Sequence, residues 1–432
     1  MDIRLVNAGD KDELFADLDA LAGDSIEENQ WTLWRTFSRA FFARLPLEEW
    51  VGRPIKDVFG AVHSAWRLMN QFRPGKPTVR LFNPTLEEDG WLCPHSVLLV
   101  QQRDMPFLVD SIRIELNRRN IAIHSIKSTV LGVVRDEQQR LVGLWPAEGD
   151  EAPDNPDKRT LEALVYMEIR LHTNTRQLRQ ISRSLMTVME QVRRVVDDFS
   201  ALKEATSSAA EQLTRVTQAP VTQKVPENQA FLDWLLQDHF TFMAYTEYDL
   251  VTENGNTWLV ERTDKRLGLF RDADATADRK PVSDENPGTL QFHLSPRLIA
   301  FSKAPQRSRV HRQAYSDYIV IKRFDADGQL CGESRLLGLY TSAVYTLSPY
   351  EIPLIREKVS EVFERSGLSR TGHDGKALRQ ILETFPRDEL FQSSTSQLYE
   401  IATGVARINE RYRVRLFVRP DAFGRFVNCL VY

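Results

Sequence analysis

The stretch from Ser96 to Lys203 constrains the fold most, because its hydrophobic pattern switches between the two periods of regular structure. Ser96 to Gln102 is a short apolar run suited to a buried strand. Arg103-Asp104-Met105-Pro106 turns the chain, and Phe107 to Arg119 places Leu108, Ile112 and Leu116 on one helical face. Asn120 suits the left-handed residue that ends a helix. Ile121 to Arg135 reads as a long strand with one step of phase shift, Ile121, Ile123 and Ile126 giving way to Val130, Gly132 and Val134, as at a bulge. A polar loop is expected from 147 to 158, then a strand from Leu161 to His172 and a helix from Thr175 to Lys203. The order is β-α-β-β-α, a ferredoxin-like β-α-β-β-α-β unit without a legible closing strand, so the expected fold class is α+β.

The last of these helices carries a heptad seam. Leu178, Ile181, Leu185, Val188, Val192, Val195, Phe199 and Leu202 alternate three- and four-residue steps. A helix lying on its own sheet explains the first half of that seam. The second half is expected to meet another element, in this chain or in a second copy.

The flanking segments differ in character. Residues 1–90 read as a helical segment, with helices over Asp10 to Leu21, Ser25 to Leu45 and Pro54 to Phe72. The aromatic rows Trp31, Trp34, Phe37, Phe41 and Phe42 demand burial against another domain or subunit. Arg73-Pro74-Gly75-Lys76-Pro77 breaks the helical pattern. Small and polar residues from Ala205 to Asn228 read as a linker. Residues 229–346 read as a second α/β unit rich in antiparallel strand, with hairpins turned at Asn254-Gly255-Asn256 and Asp325-Ala326-Asp327-Gly328. Residues 347–386 read as a helical connector, and 387–432 as a helix followed by a hairpin. The run Phe426 to Tyr432 is an apolar strand, from which further sheet elements are expected beyond Tyr432.

Bulk properties exclude several classes of function. With 56 basic and 60 acidic residues there is no basic excess of the kind that attracts nucleic acid. The three cysteines, Cys93, Cys331 and Cys429, are too dispersed for a disulfide scaffold or a CxxC metal knuckle. No apolar run reaches the ~18 residues of a membrane span, and a cytoplasmic location is expected.

Motifs of catalysis are likewise missing from the sequence. Neither G-x-G-x-x-G nor G-x-x-x-x-G-K-[ST] occurs, and Gly372-His373-Asp374-Gly375-Lys376 reads as a loop with Asp374 capping the following helix. Histidines never recur at H-x-x-x-H spacing, and no G-x-S-x-G elbow is present. Cys93-Pro94-His95 is a soft-ligand pair without two further ligands nearby in sequence, so no metal is expected. Asp238-His239 reads as a helix end. Asp104 and Asp110 flank the turn, but paired acids are too common to mark a site. No catalytic residue is assigned. The turn itself offers free backbone amides at a helix N-terminus, with Asp104 as the ordinary capping alternative.

Three groups of residues resemble one family. Arg103-Asp104-Met105-Pro106-Phe107-Leu108-Val109-Asp110-Ser111, with Glu115 to Arg119 and Ile121-Ala122-Ile123-His124, resembles the first ACT domain of the large bacterial NAD-specific glutamate dehydrogenases. Phe231 to Leu235, Asp238 to Tyr245 and Gly268 to Arg271 resemble that family's next, PAS-like module. His373 to Leu378, Ile381 to Gln392 and Arg413 to Tyr432 resemble the opening of its second ACT domain. The resemblance implies a first ACT-like domain over 91–204, a linker over 205–228, a PAS-like domain over 229–346, a connector over 347–386 and the start of a second ACT-like domain over 387–432. It also implies an N-terminal regulatory and oligomerisation region of an enzyme that oxidises L-glutamate with NAD, the catalytic residues and the cofactor lying in a downstream part. ACT domains typically bind amino acids at the first strand-to-helix turn, which here is Asp104, Met105, Pro106, Phe107 and Leu108. Expected partners are further copies of the chain and an amino-acid effector, with neither nucleic acid nor membrane. The alternative is a free-standing amino-acid sensor acting on a partner protein.

Overall fold

In a computed structural model the described residues are 4–7, 11–23, 25–43, 47–147, 160–217, 221–271, 276–408 and 414–432. Positions 148–158 of the expected polar loop and 218–220 of the expected linker lie outside them. Two compact units are present, one of residues Met1–Arg193 with Arg309–Gln313, the other of Arg194–Ser308 with Ala314–Tyr432. Among the described residues no helix is long and apolar enough to cross a membrane.

The first unit opens with three amphipathic helices, α1 (Lys11–Ala22), α2 (Trp31–Phe42) and α3 (Ile55–Gln71). Strands β1 (Thr78–Phe82) and β2 (Ser96–Arg103), helix α4 (Leu108–Arg118), strands β3 (Ile123–Arg135), β4 (Leu141–Pro146) and β5 (Thr160–Ile169), and helix α5 (Thr175–Asp197) follow. The strands form one antiparallel sheet in the order β1-β2-β5-β3-β4. The phase step in the β3 sequence coincides with a register shift between Ile123 and Ser125.

The edge beside β2, where a closing strand would lie, is taken by β1 from the N-terminal side. Thr78 to Phe82 pair with Gln101 back to Val97. Residues 1–90 are thus not wholly helical. Its aromatic residues also find their partner at home. Trp34, Phe37, Phe41 and Trp66 share a buried core with Leu99, Leu131, Leu164 and Tyr166 of the sheet, and Phe41 meets Tyr166 edge-on at 5.7 Å. Leu98, Val100, Val165 and Met167 point to the other face, by strand alternation, and are buried as well. The buried side chains of α4 and α5, such as Ile112, Leu116, Leu185 and Val188, stand outside the first core.

The seam helix is two helices. Asp198 has φ −89° and ψ 3°, which ends α5, and α6 (Phe199–Gln212) starts after it. Phe199 of the expected seam is 42% exposed, whereas Leu202 enters the core of the second unit. Much of the expected linker is therefore helical. Ala205, Ala209 and Ala210 are strong helix formers, and their small side chains let α6 pack closely.

The second unit continues with α7 (Val225–Trp234), β6 (Phe240–Glu253), β7 (Asn256–Gly268), β8 (Arg279–Pro281), α8 (Pro287–Leu294), β9 (Ile299–Arg307), β10 (Tyr315–Phe324) and β11 (Leu330–Tyr340). Its six-stranded sheet has the order β8-β7-β6-β11-β10-β9, every pair antiparallel. Helices α9 (Ser342–Thr346), α10 (Ile355–Ser366), α11 (His373–Thr384), α12 (Arg387–Gln392) and α13 (Thr395–Ile408) follow, then a separate hairpin of β12 (Leu416–Pro420) and β13 (Val427–Val431). One core joins α6 and α7, the sheet, and α10 to α13. The start of α11 falls at Gly372 with no side-chain cap, so Asp374 sits inside the first turn and does not cap it.

Candidate functional site

The turn from β2 to α4 is built around Phe107. Its φ of 74° is left-handed, which is strained for a bulky side chain, and it occupies the N-cap position without any side-chain cap. Asp104 is thus not the capping residue. Its N–H donates to the Leu161 carbonyl at 2.7 Å, extending the sheet. The first bond of the helix runs from Ser111 N–H to Phe107 O at 3.0 Å, so the amides of Leu108 to Asp110 precede the intrahelical ladder. Met105 and Leu108 are buried, and Pro106 is exposed. Phe107 packs on the His311 ring at 4.6 Å, and His311 N–H donates to Ser111 Oγ at 3.2 Å. Both contacts lie within the first unit. Of the five expected binding residues, Asp104 alone lines the cavity nearby.

That cavity, of about 610 Å³, is bordered by Phe41, Asp104, Lys127, Ser128, Thr129 and Leu161 among others. Lys127 is 4% exposed on β3. Its Nζ lies 3.3 Å from the Trp50 ring centre and between 5.2 and 5.8 Å from Phe41, Phe42 and Tyr166. Among the described residues it has no hydrogen-bond partner. Burial pushes this amine down to about 6, against the pull of Glu49 and Glu168.

Glu115 on α4 is the charge centre of the opposite end. Its buried carboxylate accepts from Arg118, Arg119, Ser184 and Arg309, at 2.5 to 3.1 Å. Burial acts to raise its pKa, but these donors together hold it at about 2.

A third group joins residues far apart in sequence. Glu168 of β5, fully buried, accepts from Arg53 at 2.5 and 3.0 Å and from Tyr166 at 2.9 Å, and lies 2.9 Å from His95 Nδ1. Cys93 stands beside them, the three ligand-type atoms of Cys93, His95 and Glu168 all lying within 4.8 Å of one another. Burial and the Glu168 charge push the Cys93 thiol up to about 11. The rings of His95 and His124 stack at 4.0 Å and 16°. Sequence spacing reveals Cys93 and His95, but Glu168 lies 73 residues on from His95. Its one local signal is a carboxylate in the otherwise apolar run Ala163 to Ile169.

Two family models match stretches of the chain. Residues 37–185 match the family model described as glutamate dehydrogenase, ACT1 domain, and 352–411 match glutamate dehydrogenase, helical motif 1. The first match spans the five-stranded sheet with α3, α4 and the second half of α2, and the second covers α10 to α13. NAD-specific glutamate dehydrogenase of Halomonas elongata is 40% identical over 399 residues, 92% of this chain and 24% of that protein. The protein of the same name from Pseudomonas aeruginosa is 38% identical over 399 residues, 92% and 24% of the two chains, and that from Mycobacterium tuberculosis 26% over 329, 75% and 19%. The chain belongs to the NAD-specific glutamate dehydrogenase family and corresponds to its N-terminal region. It spans about a quarter of the length of the first two relatives.

Proposed function

We propose that this chain is the regulatory and assembly region of an enzyme that converts L-glutamate, NAD and water to 2-oxoglutarate, ammonia and NADH. The observation that carries the reading is alignment across 92% of the chain with proteins named for that activity, while covering 24% of them. The sequence holds no glycine-rich dinucleotide turn, so its residues offer no cradle for NAD, and no step of the chemistry is assigned to them.

Within the region, β2-α4-β3-β5-α5 is read as a ferredoxin-like ACT unit over 91–204, completed at its edge by β1 of the helical segment 1–90. What supports this is the strand order and the ACT1 match. Residues 229–346 are read as the PAS-like module, supported by a six-stranded antiparallel sheet. The connector, 347–386, and the start of a second ACT-like unit, 387–432, complete the division, with 205–228 joining the two modules. An amino-acid effector is proposed at Asp104 to Leu108, where the first amides of α4 stand and Asp104 lines the cavity. Self-assembly is the companion proposal, and the location is taken as the cytoplasm.

Two measurements test this. The purified chain is expected to show no glutamate-dependent reduction of NAD, and activity there would overturn the division of labour. Calorimetry with a panel of L-amino acids is expected to show binding that Asp104→Ala weakens by about tenfold, the worth of one charge-assisted hydrogen bond. Silence across the panel would remove the sensing role and leave assembly.

A further inference from the structure

We propose that Cys93, His95 and Glu168 form a binding site for a divalent transition-metal ion of the zinc class. Thiolate sulfur, imidazole nitrogen and carboxylate oxygen are together the donor set that zinc prefers, and three protein ligands with one open position is a common zinc arrangement. The three atoms already lie within 4.8 Å of one another. His95 Nδ1 and Glu168 Oε2 are 2.9 Å apart. With metal bonds of about 2.0–2.1 Å, that separation gives an angle of roughly 90° at the ion, and a widening of a few tenths of an ångström reaches the tetrahedral value.

The surroundings hold the ligands in place for this. Glu168 Oε1 accepts from Arg53 and Tyr166, while Oε2 accepts from Arg53 and faces His95. An ion at this point displaces the proton between His95 Nδ1 and Oε2, which is carried on Nε2 once the ring changes tautomer, and the three remaining donors still fix the carboxylate plane. His95 then binds as the neutral ring through Nδ1 with its proton on Nε2, and the stacked His124 ring holds its orientation. Cys93 exchanges its S–H bond for a sulfur–metal bond and releases the proton to water. The resulting thiolate supplies the negative charge that the site lacks while Arg53 neutralises Glu168. Pro94 stiffens the short link between the first two ligands. Cys93 and His95 are only half-buried, which leaves a path for the ion and for a water ligand.

Titration of the chelator-treated 432-residue chain with Co²⁺ tests the site. The expected result is a thiolate-to-metal charge-transfer band with tetrahedral d–d bands, saturating at a single ion per chain and displaced by Zn²⁺. Cys93→Ser, close in shape to the native residue, should abolish the charge-transfer band, and His95→Asn should weaken binding by at least about tenfold. Cys331→Ser and Cys429→Ser should leave the spectrum unchanged. Circular dichroism on each variant confirms that the fold is retained. A folded wild-type chain with no charge-transfer band, or a band that survives Cys93→Ser, would overturn the proposal.

Discussion

Glu115 shows how one buried charge ties stability to pH. Its folded pKa, about 2, lies below the ordinary glutamate value of 4.5. A depressed carboxylate contributes stability that is fully present above its unfolded pKa and is lost as pH falls through the folded value. The contribution should be on the order of 2 kcal/mol, reduced from the full shift because partners such as Arg118 are partly in water. Urea midpoints between pH 5 and pH 2 should therefore fall in the wild type, and fall less in Glu115→Gln. The same variant should be less stable at pH 7, since several arginines lose their shared acceptor. Gly132 makes a steric statement of the same size. A Cβ there would stand 2.0 Å from Cε2 of Trp145 on the neighbouring strand. Gly132→Ala should cost about 1–3 kcal/mol in denaturant unfolding, the usual toll of overpacking.

At the scale of elements, Asp198 decides where one helix becomes two. Its carboxylate accepts the Gly268 N–H at 2.7 Å and pairs with Arg271 at 3.1 Å. Asp198→Ala should leave the buried Gly268 amide unpaired at a cost of about 1–3 kcal/mol, with faster hydrogen exchange at that amide as the direct readout. The heptad pattern foretold a helix here and its buried residues from Ile181 to Val195, but not the break, and Leu178 at its start is only half-buried. Periodicity reports which face is buried and is silent on a polar side chain that satisfies a distant backbone group. Strands β2 and β5 and helix α4 were legible within a few residues, because long runs of consistent period leave little choice. Strand β1 was not. It is five residues long, half-buried throughout and set between Pro77 and Pro84, and its identity rests on pairing with β2. The Glu168 cluster was half legible for a similar reason, its third member being supplied by a neighbouring strand.

For the whole molecule, each compact unit carries its own core, and the first draws its bulk from helices that precede the sheet. Trp34 is fully buried there, against Phe59 at 5.7 Å and Trp66 at 6.0 Å. Trp34→Ala should cost about 3–5 kcal/mol, measured as a drop in unfolding free energy. If the chain assembles as proposed, light scattering should give a mass that is a multiple of 49.8 kDa, and a mass of one chain at every concentration would count against it. Strand β1 has a consequence for how such a chain is made. A ribosome releases β1 before the rest of the sheet, so all five strands are available once Ile169 has emerged. Nothing synthesised later has to travel back to seal that edge. The later residues that do join the first unit, Arg309–Gln313, bond to Glu115 and Ser184 on its helices, so the sheet itself can be finished while they are still being translated.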